Sequence, residues 1–413
     1  MGQGNSMRIL IVTPYLASPG ADGGGTVMFN FIKNLSARHE IAYLSFARQQ
    51  ELVHLPQVAQ YCVETVTVPL PGGTTTSALE KGLNLARRVL QNILSFATFT
   101  PVVVQKCSSQ AMAVEIRRAI ERHKPDAVHF CFPQMAHYVE ACGDVPTVMD
   151  TLDVALVGVL RRAMSARRIW AKAYYLMQWL FWVRYESRYF PRFGKVLTVT
   201  HQDAAALKMV MPNLDVYADA IAVDIEPLPE PARGQARRIG FLASFGHQPN
   251  VDAALYFAQE IFPLVRARLP DAEFVVAGKN PPAALLGMRG AGVSCLGFVE
   301  EVASFYGSVD VVVAPIRFGG GIKLKVLEAM ACGKPVVTTS VGAEGIAESG
   351  AGALVVADDP EGFAGAVIAL LADQERRAAL GKEARQLIER RFSWRRVIDD
   401  LDGIYTRLAQ AKR

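Results

Sequence analysis

Asp310 to Ile346 reads DVVVAPIRFGGGIKLKVLEAMACGKPVVTTSVGAEGI. The apolar run Val309–Ala314 predicts a buried strand, and a glycine-rich basic loop follows it. A helix over Ile322–Ala331 then carries one acid, Glu328. A second apolar strand, Pro335–Thr339, leads into another glycine turn. Open α/β sheets bind ligands in the loops beyond the carboxyl ends of parallel strands. Such a loop here holds Arg317, Gly319, Gly320, Gly321, Lys323 and Lys325. Exposed backbone N–H groups, a helix start and several cations together suit a diphosphate. Glu328 suits a different partner, since a carboxylate accepts hydrogen bonds from paired sugar hydroxyls.

The same alternation extends in both directions. Upstream, Met7–Thr13, Glu40–Ser45, Val63–Val68, Ala127–Phe132, Thr147–Asp150 and Lys195–Thr200 read as strands, with helical patterns such as Thr26–Arg38 and Gln110–His123 between them. Downstream, Arg238–Phe245, Glu273–Ala277, Val293–Gly297, Val309–Ala314, Pro335–Thr339 and Ala353–Val356 read as strands, and Asn250–Arg268, Ile322–Ala331 and Pro360–Ala372 as helices. Strand–helix alternation predicts an α/β fold with parallel sheets. The proline- and acid-rich run DIEPLPEPARGQ, starting at Asp224, cannot continue a helix or a central strand. It divides the chain into residues 1–223, a linker at 224–236, residues 237–392 and a last helix within 393–413. That helix, near Trp394–Gln410, has no strand after it and is expected to pack back toward the first domain.

Two domains also fit the length of 413 residues. The chain is 51% hydrophobic and 20% charged, which is a globular composition. Its 44 basic and 39 acidic residues leave a formal charge of +5, too mild an excess to indicate nucleic acid. The six cysteines form no Cys-x-x-Cys motif and read as reduced core thiols of a cytosolic protein. Met7–Thr13 reads as a first strand, not a secretory leader, and no uncharged apolar run reaches the ~18 residues of a membrane span. A cytoplasmic location is expected.

The LEAMACGKPVVTT run with GAEGI, PNVDAALYFAQEIFPLV and FVEEVASFYGSVDVVVAP resemble the group 1 family of retaining, nucleotide-sugar-dependent glycosyltransferases. The resemblance is specific in the second half of the chain and loose in the first. It implies the GT-B fold, two Rossmann-like doubly wound domains facing across a cleft. It also implies that Glu328 binds the donor ribose, that Gly297, Phe298 and Val299 form the base-binding segment, and that Asp22-Gly23-Gly24-Gly25 forms the N-terminal loop near the donor phosphate, with Gly24 and Gly25 in contact.

Three departures follow from the same comparison. Many members carry a first glutamate eight positions before the second, and here that position is Gly320. The family's Arg and Lys at the start of the second domain are replaced by Ser244 and Pro249, approximately aligned. A subset instead has a glycine run and a Lys three residues before the glutamate, as in Gly319–Gly321 and Lys325. Diphosphate neutralisation is therefore assigned to Lys325, with Lys323 or Arg317 assisting.

Fixed dipoles and cations in a dry site stabilise a leaving diphosphate without metal. The Asp-x-Asp motif of metal-dependent glycosyltransferases is matched only at Asp400-Leu401-Asp402, inside the last helix pattern. The expectation is thus no metal and no cofactor, with a UDP- or GDP-sugar as co-substrate. Gly320, Lys325 and Asp150 are the catalytic candidates. Asp150, Asp153 and His129 are the acceptor candidates at strand ends of the first domain. His129 also reads as a core histidine, and Asp150 as a helix cap.

Residues 161–192 interleave Arg161, Arg162, Arg167, Arg168, Lys172, Arg184, Arg188 and Arg192 with three of the four tryptophans. That pattern suits either helices packing aromatics inward or peripheral contact with an anionic membrane. The expected activity is sugar transfer to a saccharide or lipid-linked glycan in surface polysaccharide synthesis. A nucleotide-sugar-binding protein without turnover and a nucleotide-sugar 2-epimerase are the alternatives. A dinucleotide oxidoreductase lacks its Gly-x-Gly-x-x-Gly after the first strand.

Overall fold

The computed structural model describes residues 6–19, 23–70, 89–166, 168–225, 237–288, 290, 292–347 and 352–411. The chain folds as two units, Met1–Ala220 with Ile398–Arg413, and Ile221–Val397. Most of the segment at 224–236, read as a linker, lies outside the described residues, as does Asp22.

The first unit is built on seven parallel strands: β1 Arg8–Thr13, β2 Glu40–Ala47, β3 Glu64–Pro69, β4 Ala127–Cys131, β5 Thr147–Asp150, β6 Lys195–Leu197 and β7 Val216–Tyr217. Their order is β3-β2-β1-β4-β5-β6-β7. The second holds β8 Arg238–Leu242, β9 Glu273–Ala277, β10 Val293–Gly297, β11 Val311–Ala314, β12 Val336–Thr338 and β13 Val355–Val356, ordered β10-β9-β8-β11-β12-β13. The central strands β1, β4 and β11 are near-continuous apolar runs, buried almost throughout. That is the signature of a parallel sheet covered on both faces.

The expected strands are present, most of them with shifted ends. Lys195–Thr200 ends at Leu197, where the Thr198 and Thr200 hydroxyls turn to local backbone and to the Asp203 carboxylate. β7 has two residues and no alternation to reveal it. Asn250–Arg268 is not one α-helix. A helix at Gln248–Tyr256 passes through a π-helical turn at Phe257–Ile261 before resuming over Phe262–Arg268. The wider turn seats Phe257 and Phe262 against Phe274 of β9, with ring centroids 4.5 and 5.9 Å away.

The last helix, Trp394–Gln410, runs into the first unit. Asp399 and Asp402 bind Arg38 at 2.6 and 2.8 Å, Asp402 also binds His39 at 2.7 Å, and the Tyr217 hydroxyl donates to Asp400 at 2.5 Å. The Asp-x-Asp pair is thus part of the anchoring of this helix.

Candidate functional site

In the second unit, the strand order changes direction between β8 and β11, the place where doubly wound sheets leave a crevice at their carboxyl end. Two loops meet there. After β8, Ser244 presents its carbonyl to the Asn250 side-chain amide at 2.7 Å. After β11, the glycine loop leads into the helix Leu324–Ala331. The Lys325 ammonium donates to Asn250 Oδ1, and so crosses the switch point. It also lies 5.7 Å from the ring centroid of Phe241 on β8. Asn250 itself is buried.

Lys325 and Glu328 are three residues apart and share a helix face. Burial brings the Lys325 ammonium down to about 8, against the pull of Glu328 and with help from Lys323. Burial raises the Glu328 carboxyl, Lys325 counters the rise and Asp224 adds to it. The Glu328 side chain stays partly exposed and makes no hydrogen bond among the described residues. The site therefore holds a poised cation beside a carboxylate able to accept bonds from a ligand.

The other basic residues of the loop are more committed. Arg317 grips Asp252 with two bonds of 2.9 and 2.6 Å and stacks 4.1 Å from the Tyr256 ring centroid. It braces the loop to the helix Gln248–Tyr256. Lys323 donates to the Gly321 carbonyl at 2.5 Å and the Gly320 carbonyl at 3.3 Å, and lies 3.7 Å from Glu344. Gly319 adopts φ +115° and Gly321 φ +68°, conformations that a side chain would strain.

The turn after β12 is laced to this loop. The Thr338 hydroxyl donates to Ala314 O at 2.7 Å, and the Thr339 hydroxyl donates to Ile316 O. This lacing sets Glu344 beside Lys323. Phe298, expected at the base segment, is 55% exposed, with the Lys279 ammonium 4.6 Å from its ring centroid. Val299 follows it, partly exposed, and Gly297 takes φ +77°. Ser244, Lys279, Phe298, Lys325 and Glu344 all follow carboxyl ends of one parallel sheet.

Asn250, Lys279 and Glu344 did not emerge from the motifs. Asn250 had a visible signal: it shares the inward face of its helix with the buried Ala253 and Ala254, where a polar side chain needs a partner.

In the first unit, Gly24 and Gly25 open the helix Gly23–Leu35. A Cβ on Gly24 would lie 2.1 Å from the Tyr15 hydroxyl and 3.0 Å from Phe132, so close packing alone calls for glycine there. His129, expected to contact an acceptor, is fully buried; the Tyr405 hydroxyl lies 2.7 Å from its Nδ1, and Nε2 has no hydrogen-bond partner. Asp150 is also buried, 3.7 Å from His129 Nε2, and accepts from the Leu152 amide at 3.1 Å. Neither reaches solvent, and His129 is covered by Tyr405 of the returning last helix. Asp153 is exposed.

Two cavities of about 410 and 210 Å³ open in the first unit, away from the glycine loop, and share Ser108 and His137 in their walls. Among the described residues no cluster of His, Cys, Asp or Glu has metal-binding geometry, and all six cysteines are free.

Comparison with known proteins defines the class first. Sucrose-phosphate synthase from Thermosynechococcus elongatus superposes with TM-score 0.68 at 16% identity, covering 98% of this chain and 100% of that one. HepE from Anabaena, in complex with UDP and glucose, gives TM-score 0.60 at 14% identity over 97% of this chain and 99% of that one. The fold is GT-B. The model of the family "Glycosyl transferases group 1" matches residues 236–373. Phosphatidyl-myo-inositol mannosyltransferase of Mycolicibacterium smegmatis is 30% identical over 202 residues, 47% of this chain and 50% of that protein. The chain thus spans about half the length of that relative.

Proposed function

We propose that the protein is a nucleotide-sugar-dependent glycosyltransferase that acts with retention, without metal, on a UDP- or GDP-sugar. The observation that carries this reading is Lys325, held by Asn250 across the switch point one helical turn before Glu328, whose carboxylate makes no hydrogen bond among the described residues. The ammonium and the loop's backbone amides stabilise the diphosphate, and Glu328 accepts the ribose hydroxyls. In the reaction the bond from the sugar's anomeric carbon to the phosphate oxygen breaks, and the acceptor oxygen bonds to that carbon. The acceptor's proton passes to the leaving phosphate, so no protein base is needed. The HepE complex with UDP and glucose, a protein of the same fold, supports the donor class.

The acceptor is a saccharide or lipid-linked glycan of surface polysaccharide synthesis, met at the cytoplasmic face of a membrane that residues 161–192 contact. The mannosyltransferase relative, whose name carries a phosphatidyl acceptor, supports a lipid-linked one. Gly320, in place of a second acid, supports one other reading, a donor-binding protein without turnover. The test is release of nucleoside diphosphate from a panel of UDP- and GDP-sugars in EDTA, with and without glycan acceptors. Acceptor-stimulated release that Glu328→Ala abolishes supports transfer. Release that strictly requires a divalent metal contradicts it, and donor binding with no release selects the non-catalytic reading.

A further inference from the structure

In the first unit, two helices present apolar and basic side chains and, among the described residues, no exposed acid of their own. Described residues 89–98 are helical and lie against the helix Ile169–Tyr189. The two are joined by Gln178 with Ser95 at 3.2 Å, Tyr174 with Asn92 at 3.1 Å, and Phe96 against Phe181 at 5.9 Å. These contacts spend the inner faces. Val89, Leu90, Ile93 and Leu94 are left exposed on one helix, and Ile169, Trp170 and Leu180 on the other. Ile169 is 85% exposed and Trp170 65%, values a packing role does not explain.

The charges on these elements all have one sign. Residues 89–109 contain no Asp or Glu, and residues 154–202 contain only Glu186, which is fully buried. Burial pushes that carboxyl up to about 8, which favours its neutral form. Arg162, Lys172, Arg184 and Arg188 make no ion pair among the described residues. The guanidinium of Arg184 sits 5.5 Å from the Phe99 ring centroid, and that of Arg168 sits 5.7 Å from Trp170. The 210 Å³ cavity at the edge of this face is walled by Phe99, Thr100, Arg184, Arg188 and Tyr189.

We propose that this two-helix face docks the protein on an anionic phospholipid surface, with Ile169, Trp170 and the 89–94 side chains entering the acyl boundary and Arg184 and Arg188 taking a headgroup phosphate in the adjoining cavity. Cations draw a helix pair to anionic headgroups and apolar tips hold it there. A second copy fits poorly, because pairing two such faces sets cations against cations. The inference rests on the membrane contact proposed above and names its partner. It does not involve Lys325 or Glu328.

The experiment is co-sedimentation of the full chain with phosphatidylcholine vesicles, with and without phosphatidylglycerol, alongside nucleotide binding on the same samples. The expected result is binding that needs phosphatidylglycerol, weakens with salt, and falls roughly thirtyfold in Arg184→Gln/Arg188→Gln, on the basis of about fivefold per cation. Ile169→Glu/Leu180→Glu should lose it too, while both variants keep wild-type nucleotide affinity and thermal unfolding. Equal binding to phosphatidylcholine alone, no sedimentation, or variants that bind like wild type would overturn the proposal. So would a concentration-dependent dimer abolished by Ile169→Glu. Vesicle binding with no nucleotide affinity would instead count against the transferase reading and leave the docking face standing.

Discussion

Lys325 is the residue on which the donor site turns, and its titration makes the site testable. With the ammonium brought down to about 8, the cation is present below that pH and fades above it. An incoming diphosphate favours the charged form, so binding near pH 8 should take up protons. Calorimetry in buffers of different ionisation enthalpy should show that uptake in the wild type and none in Lys325→Met. Asn250 is the second test. Asn250→Leu removes the acceptor that fixes the Lys325 ammonium and the side-chain donor to the Ser244 carbonyl. We expect a loss of about 1–3 kcal/mol in nucleotide binding, roughly five- to a hundredfold in Kd. Lys325 and Glu328 are legible in sequence because three-residue spacing after a glycine loop fixes a shared face. Asn250 is not, since it lies 75 residues from the lysine it holds. His129 and Asp150 show the opposite limit. Their place at strand ends is legible, but their burial is not, and the Tyr405 hydroxyl that pairs with His129 comes from the far end of the chain.

At the scale of elements, the loops at the carboxyl edge of the second sheet are held by backbone conformations few residues tolerate. Gly278, after β9, takes φ +138°, and a Cβ there would stand 1.7 Å from the Ala243 carbonyl oxygen. Gly278→Ala should force the β8 and β9 loops apart. A cost of about 3 kcal/mol, read as a fall of roughly 5–10 °C in the unfolding temperature of the second unit, is the expected outcome in scanning calorimetry. Gly143→Ala, with φ +57° but no atom within 4 Å of its Cβ, should cost only about 1 kcal/mol. Strand positions are legible because buried parallel strands are unbroken apolar runs. The π-helical turn at Phe257–Ile261 is not, because its apolar spacing reads as continuous helix.

At the scale of the molecule, the chain forms its first unit from both of its ends. Tyr405 supplies the hydroxyl that pairs with Nδ1 of buried His129, and Leu408 fills the space beside Gly194. Tyr405→Phe leaves His129 with no partner at Nδ1 and should destabilise the first unit by about 1–3 kcal/mol, while nucleotide binding at the second stays unchanged. Differential unfolding followed with and without nucleotide would separate the two. The division into two parallel α/β units is legible from alternation alone. The return of the last helix is legible only as a helix with no strand after it, since its partners Arg38, His39 and Tyr217 lie some 180 to 360 residues away.

The most direct measurement is isothermal calorimetry of UDP and GDP in EDTA with the wild type, Lys325→Ala and Glu328→Ala. One nucleoside diphosphate should bind without metal, and each variant should lose about 1.5–3 kcal/mol, roughly ten- to a hundredfold in Kd. Binding that appears only with a divalent cation, or that both variants retain in full, would contradict the assignment of the donor site.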